Sequence, residues 1–362
     1  MAKRKASMTN RQRVEALLQH EKPDRVPIWP FAAGGFCCVH TRTSIADAYN
    51  KPDVSTAAQR KTAEDFGWVY APMIAYAAMG AWELGGEIKW PSGEFAQAPM
   101  ITRRPVESVD DVWNLKVPDD VSTVGIVPLM MEVARIGAQE DLDNKPFKVF
   151  GMAGGAFTRA GNMCGPETLC KWLIKKPEAA HHMLQVATDF VIALAAYWKQ
   201  SFGTEGILLM AASEASTANE LISARQFEEF ALPYDQKIAQ AVLGMGFKHI
   251  YTHICGEQNE NLPHWQKIDF GQPGIISFGH EIELADMARH FPDDIILGNL
   301  EPAVIQTKTP DEVYEATKKN IQDGMSLSNG YIFSPGCELP PKSPPDNIMA
   351  MTKAVEDYGW YD

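Results

Sequence analysis

Eight short apolar runs alternate with longer helical patterns along this chain, and that alternation restricts its fold more than any other feature. The runs fall at residues 26–31, 68–72, 147–152, 206–211, 248–252, 274–278, 294–297 and 331–334. A continuous apolar run suits a strand buried on both faces, as strands are in a parallel sheet covered by helices. Eight such strands, each followed by a helix, predict a closed (β/α)₈ TIM barrel. At 362 residues the chain is long for one domain but suits such a barrel with an insertion.

The insertion is expected between the second and third strands, over residues 74–145. It contains Trp82-Glu-Leu-Gly-Gly-Glu-Ile-Lys-Trp90-Pro-Ser-Gly93-Glu-Phe, which alternates around glycine turns like a small hairpin. Helices are best marked where caps stand. Ser223-Ala-Arg-Gln-Phe-Glu-Glu-Phe predicts a long helix running toward Gly244, and Thr309-Pro310-Asp-Glu-Val predicts another reaching Gly324. Ser343-Pro-Pro-Asp-Asn opens a final helix expected to end near Tyr358. Residues 1–10 are expected to be disordered and 11–362 to form one barrel domain, since no linker or repeat interrupts them.

Charge and cysteine usage exclude several classes of function. A net charge of −13 argues against a nucleic-acid binder, which would carry a basic face, and against docking on an anionic membrane. Six irregularly spaced cysteines in so long a chain do not make a secreted disulfide framework. The basic start Met1-Ala-Lys-Arg-Lys runs into polar residues, so no signal peptide is expected, and no apolar stretch approaches the ~20 residues of a spanning helix. A cytoplasmic location follows as the expectation.

In a (β/α)₈ barrel the active site forms at the C-terminal ends of the strands. Those ends carry Glu214, His253 with Cys255, Gly279-His280, Asn299 with Glu301, and Cys337. Two segments dominate, His253-Ile-Cys255-Gly and Gly-Cys337-Glu-Leu-Pro-Pro. One imidazole and two thiols offer zinc a soft site with a fourth position open for chemistry. His253 and Cys255 stand two apart, so strand geometry points them the same way. The bland alternative is that each cysteine is a small buried hydrophobe and the histidine a structural group. Glu214 is a candidate catalytic carboxylate: a fourth ligand, a base behind the metal, or a structural group.

Other candidates read as structure. Glu228 and Glu229 suit a solvated helix face, His249 begins its strand at the far end of the barrel, and His181-His182 lie within a helical stretch. Cys37-Cys38 has no ordinary metal spacing. Gly151-Met-Ala-Gly-Gly-Ala lacks the ending of a phosphate loop, and its glycines are expected to admit a ligand close to the backbone. Trp29, Phe31, Phe36, Tyr70, Met73 and Tyr76 read as core or as the wall of a flat apolar pocket.

Asn10-Arg-Gln-Arg-Val-Glu-Ala-Leu through Pro23-Asp-Arg-Val-Pro-Ile resembles the start of the uroporphyrinogen decarboxylase superfamily. So do Ser223-Ala-Arg-Gln-Phe-Glu-Glu-Phe with Leu232-Pro-Tyr, and Gly298-Asn-Leu-Glu-Pro302. The resemblance spans nearly the whole chain and implies the same barrel. Its decarboxylases carry an arginine-rich segment after the first strand, where this chain reads Trp29-Pro-Phe-Ala-Ala-Gly-Gly-Phe with no arginine before Arg42. Decarboxylation of a polycarboxylate is therefore not expected.

The HxC and GC-x-x-P-P segments are similar to those of the zinc-dependent, corrinoid-linked methyltransferases. That resemblance implies zinc on His253, Cys255 and Cys337, and a corrinoid (cobalamin) carried by a partner protein. Gly85-Gly86-Glu-Ile-Lys-Trp-Pro-Ser-Gly and Ala212-Ser-Glu-Ala look more like the O-demethylase type, which takes a methyl group from a small methoxylated aromatic substrate. A Glu, Glu, His zinc pattern associated with some of those enzymes is only approximated by Glu214, Glu229 and His249. Two alternatives stay open: methylcobamide-to-thiol (coenzyme M-like) or tetrahydrofolate transfer, and a non-catalytic barrel that binds a corrinoid or tetrapyrrole.

Overall fold

The computed structural model describes residues 6–32, 34–92 and 98–361. A small antiparallel hairpin, β1 (Glu87–Lys89) with β2 (Met100–Arg103), precedes six parallel strands. These are β3 (Val149–Gly154), β4 (Ile207–Ala211), β5 (Ile250–Ile254), β6 (Ile275–Phe278), β7 (Ile295–Leu300) and β8 (Tyr331–Pro335), hydrogen-bonded in chain order. All six are buried along their full length, as continuous apolar runs require. The hairpin confirms the insertion's expected character, although residues 93–97 of it lie outside the described residues.

The first two expected strands do not form continuous ladders. Residues 26–31 join β8 by a single parallel bridge, with Trp29 N–H donating to Phe333 O and Phe333 N–H to Pro27 O. Val69 N–H then donates to Ile28 O, and Tyr70 N–H to Asn144 O, so the two segments still occupy the first two places around the barrel. Pro27, Pro30 and Pro72 lack the N–H groups a ladder needs, which explains the interruption. Inside, Trp29 packs on Phe147, Phe150 and Tyr251 at ring separations of 5.9, 5.6 and 5.7 Å. Trp29, Phe150 and Tyr251 come from the first, third and fifth strand positions, the alternation by which such barrels fill their interior.

The helix expected to run from Ser223 to Gly244 is two helices, Ala224–Phe230 and Leu232–Gly244. Ser223 and Gln226 cap the first reciprocally, while Pro233 has no N–H to carry the first helix onward and starts the second. Pro310–Met325 and Pro345–Tyr358 form as expected. The 26-residue helix Pro177–Phe202 is long and apolar enough to cross a membrane, but it is mostly buried against β3 and the helices Ala156–Cys164 and Leu232–Gly244. At the start of the chain, residues 1–5 of the segment expected to be disordered lie outside the described residues. Ser7 and Met8 N–H groups donate to Asp24, and Thr9 caps the helix Asn10–Leu18.

Candidate metal centre

Parallel register places Ser277 of β6 beside His253 of β5, and Ser277 Oγ lies 2.9 Å from His253 Nδ1. With Nδ1 so engaged, Nε2 is the nitrogen left over. It is buried and has no hydrogen-bond partner among the described residues, in a side chain only 7% exposed. Cys255 follows β5 by one residue and Cys337 follows β8 by two. Their sulfurs stand 3.8 Å apart, and the three ligand atoms of His253, Cys255 and Cys337 all fall within 4.8 Å of one another. A buried orphan imidazole nitrogen facing two thiols is a donor set that fits a soft divalent metal such as zinc.

The hydrogen bond from Cys255 holds the Cys337 thiol down, to about 4, with His253 adding to the effect against burial. The same contact, with burial, pushes Cys255 up. The pair is thus polarised, with the proton favoured on Cys255 and the negative charge on Cys337. Glu281 adds to the upward pressure on Cys255, so its carboxylate stands near that sulfur. Glu281 was not singled out by sequence reading, because it lies beyond the end of β6 in a polar loop with no motif of its own.

Glu214 takes a different place from the fourth-ligand position. Its oxygens accept from Phe157 N–H at 2.7 Å, Thr158 N–H at 2.7 Å and Thr158 Oγ1 at 2.5 Å, and among the described residues it does not join the three-ligand group. Its main chain, however, holds the cluster. Glu214 N–H donates to His253 O and Cys255 N–H to Glu214 O, at 3.1 and 3.0 Å. Burial raises the Glu214 carboxyl against those three donors, and burial together with Glu214 raises Asp235 well above the usual range. Arg159, also buried, is pulled down to about 10 by desolvation while Glu214, Glu83 and Asp235 support its charge.

The glycines at the end of β3 make room for this charged group, and Gly154 also lines the cavity beside His253, as expected of a backbone that a ligand approaches. A Cβ on Gly154 would collide with the Arg159 guanidinium, and one on Gly155 with the Glu214 carboxylate. The remaining candidates fall away from the cluster. Asn299 donates to Gly279 O and Ile282 O, and so pins the loop after β6. His280 and Glu301 are half-exposed, 4.0 Å from each other. Glu228 pairs with Lys267 on the surface, and His249 bonds Pro273 O, so Glu214, Glu229 and His249 are not assembled. Cys37 is buried with its Sγ on Ala32 O.

Beside His253 opens a cavity of about 160 Å³ whose walls are mostly apolar, with Phe31, Tyr49, Tyr76, Met79, Met152 and Met210 among them. The Phe31 ring lies 6.0 Å from the His253 ring. The cluster and this cavity share the C-terminal mouth of the barrel.

A family model described as uroporphyrinogen decarboxylase (URO-D) matches residues 9–358. The methylcobamide:CoM methyltransferase MtbA of Methanosarcina acetivorans is 27% identical over 268 residues, which is 74% of this chain and 74% of the relative. A methylated-thiol–coenzyme M methyltransferase of Methanosarcina mazei is 27% identical over 281 residues, 76% of this chain and 68% of the relative. A uroporphyrinogen decarboxylase of an Anaeromyxobacter species is 24% identical over 350 residues, 93% of this chain and 96% of the relative. A solved methyltransferase from Methanosarcina mazei superposes with a TM-score of 0.80 over 97% of this chain and 99% of that one, at 20% identity. Likeness at that identity shows the fold.

Proposed function

This chain belongs to the uroporphyrinogen decarboxylase (URO-D) family, and we propose that within it the chain is a zinc-dependent methyltransferase working with a corrinoid protein. The observation that carries the reading is the buried, unpartnered His253 Nε2 grouped with the sulfurs of Cys255 and Cys337 beside an apolar cavity. The donors fit zinc, with room for a fourth partner. A decarboxylase acting on a polycarboxylate fits less well. Among the described residues the cavity wall has one arginine and no lysine, and that arginine already faces Glu83, Glu214 and Asp235.

The apolar, aromatic wall favours a methoxylated aromatic compound as methyl donor. Zinc on His253, Cys255 and Cys337 would supply Lewis acidity to an ether oxygen in the cavity. The methyl carbon would pass to the reduced corrinoid, whose cobalt(I) supplies the electron pair of the new bond, while the carbon–oxygen pair would stay on the departing phenolate, which then takes a proton from solvent. Ser277 orients the imidazole, Phe31 shields it from water, and the Thr158–Glu214 hydrogen bonds keep one wall of the cavity rigid. The cytoplasm, where thiols stay reduced, suits two cluster cysteines that are free. A second reading reverses the direction, with a thiol accepting the methyl group, and is favoured by the two coenzyme M methyltransferases among the relatives.

Metal analysis and a transfer assay test both. The purified protein should hold about one zinc per chain, as a single three-ligand cluster requires, and Cys337→Ala should lose both zinc and transfer. Reduced corrinoid with a panel of methoxyphenols should yield methylated corrinoid. If only the reverse assay, methylcobalamin with thiols, shows turnover, the second reading replaces the first. A protein without zinc and inactive in both assays would be a binding barrel instead.

A further inference from the structure

Among the described residues, nine buried side-chain polar atoms lack a hydrogen-bond partner, and three of them, themselves closed off from solvent, sit on side chains that help line one cavity. One is His253 Nε2, accounted for by the metal reading. The other two are Tyr76 Oη and Arg159 Nε, and neither has a role in that reading. Buried donors are nearly always satisfied in folded proteins, so unspent ones gathered at a cavity point to a partner that arrives with the ligand. Tyr76 is only 2% exposed, and its neighbour in the wall, Tyr49, has already given its hydroxyl to Ala75 O. Arg159 has spent Nη1 on Gly155 O and Nη2 on the Met79 sulfur, which leaves Nε–H free.

We propose that Tyr76 Oη and Arg159 Nε bind a neutral oxygen of the methyl-carrying substrate, and so select uncharged oxygen-substituted aromatic compounds over anionic ones. The preference for a neutral group follows from the charges in place. Arg159 is faced by Glu83, Glu214 and Asp235, and Glu338 stands in the same wall. A carboxylate or sulfonate on the ligand would find a cation already matched and would add a further negative charge to a low-dielectric site. A phenol or ether oxygen needs only the two hydrogen bonds. The rest of the wall, Phe31 and the methionines 79, 152 and 210, suits the ring that carries it.

This inference rests on the methyltransferase reading for the role of the ligand, but its test reads binding alone. Calorimetry on the full-length protein, zinc-loaded and without corrinoid, would compare 2-methoxyphenol, 4-hydroxy-3-methoxybenzoate and 2-mercaptoethanesulfonate. The neutral phenol should bind, and each anion should bind at least about tenfold more weakly, as expected when an unpaired charge is buried. Tyr76→Phe keeps the ring and removes only the donor. It should weaken 2-methoxyphenol about fivefold while leaving the melting temperature of the free protein unchanged or higher, because no bond in the free protein is lost. Equal binding of phenol and carboxylate, or unchanged affinity in Tyr76→Phe, would overturn the proposal. Binding as expected with no methyl transfer would instead count against the function and leave the inference standing.

Discussion

The sulfurs of Cys255 and Cys337 lie 3.8 Å apart across 82 residues of chain, and the bond between them draws the Cys337 thiol down while it pushes Cys255 up. Zinc takes both as thiolates. At pH 7–8 Cys337, held at about 4, has no proton left to lose, whereas Cys255 still carries one. Zinc uptake by the metal-free protein should therefore release about one proton, not two. Titration calorimetry in buffers of different ionisation enthalpy measures that number, and a release of two would refute the assignment of the thiolate.

Ser277 Oγ, 2.9 Å from His253 Nδ1, fixes which imidazole nitrogen faces the sulfurs. Ser277→Ala should keep the fold and lower zinc affinity by roughly 10–100-fold, the usual cost of losing a hydrogen bond behind a metal ligand. Competition with a chromogenic chelator reads this directly. An unchanged affinity would mean that the ring is held by packing alone.

Glu214 and Glu281 separate two roles that sequence reading merged. Glu214→Gln puts an amide where three donors point, which should cost about 1–3 kcal/mol of stability while zinc content stays intact. Glu281→Gln removes the carboxylate near Cys255 and should weaken zinc by on the order of tenfold with little loss of stability. Metal analysis beside denaturant unfolding distinguishes them, and the opposite pattern would make Glu214 the fourth ligand.

At the far end of the barrel, burial with Asp269 and Asp293 nearby raises the Asp294 carboxyl to about 6, despite the Gly274 N–H that it accepts. Between about pH 4 and 6 the folded chain then holds a proton that the unfolded chain has lost, so this group's contribution to stability falls as pH rises. Asp294→Asn should match the parent near pH 4 and exceed it at pH 8 by on the order of 2 kcal/mol. Urea unfolding at the two pH values checks this, and a constant difference between the variants would contradict the shift.

The six strands β3 to β8 were legible because each is a run buried on both faces, a pattern that needs no partner to be recognised. The places of residues 26–31 and 68–72 were legible too, but not their broken ladders, since the effect of Pro27, Pro30 and Pro72 depends on which N–H groups the neighbouring strand requires. His253, Cys255 and Cys337 could be read because metal chemistry restricts residue type and the barrel restricts position. Glu214 was found but its surroundings were not, because two of its three partners are backbone N–H groups of Phe157 and Thr158, which any sequence would supply, and the third, the Thr158 hydroxyl, lies 56 residues away in the chain. Tyr76 was legible as a wall residue, which the cavity bears out, but its unspent hydroxyl and the unspent Nε–H of Arg159 were hidden for a related reason. What distinguishes them is a missing hydrogen bond, and absence of a partner appears only once every neighbour is in place.

Residue 214 meets the cluster through its peptide group and the cavity through its side chain. The two sulfurs follow β5 and β8, while Tyr76, Arg159 and the methionines that shape the cavity come from residues 76–210. On the proposed function, the mouth is therefore divided into a half that would grip the ion and a half that would choose the guest. An engineer could rebuild the second half, residue by residue, to accept a different methylated compound, with the peptide bonds at position 214 keeping the first half in register throughout.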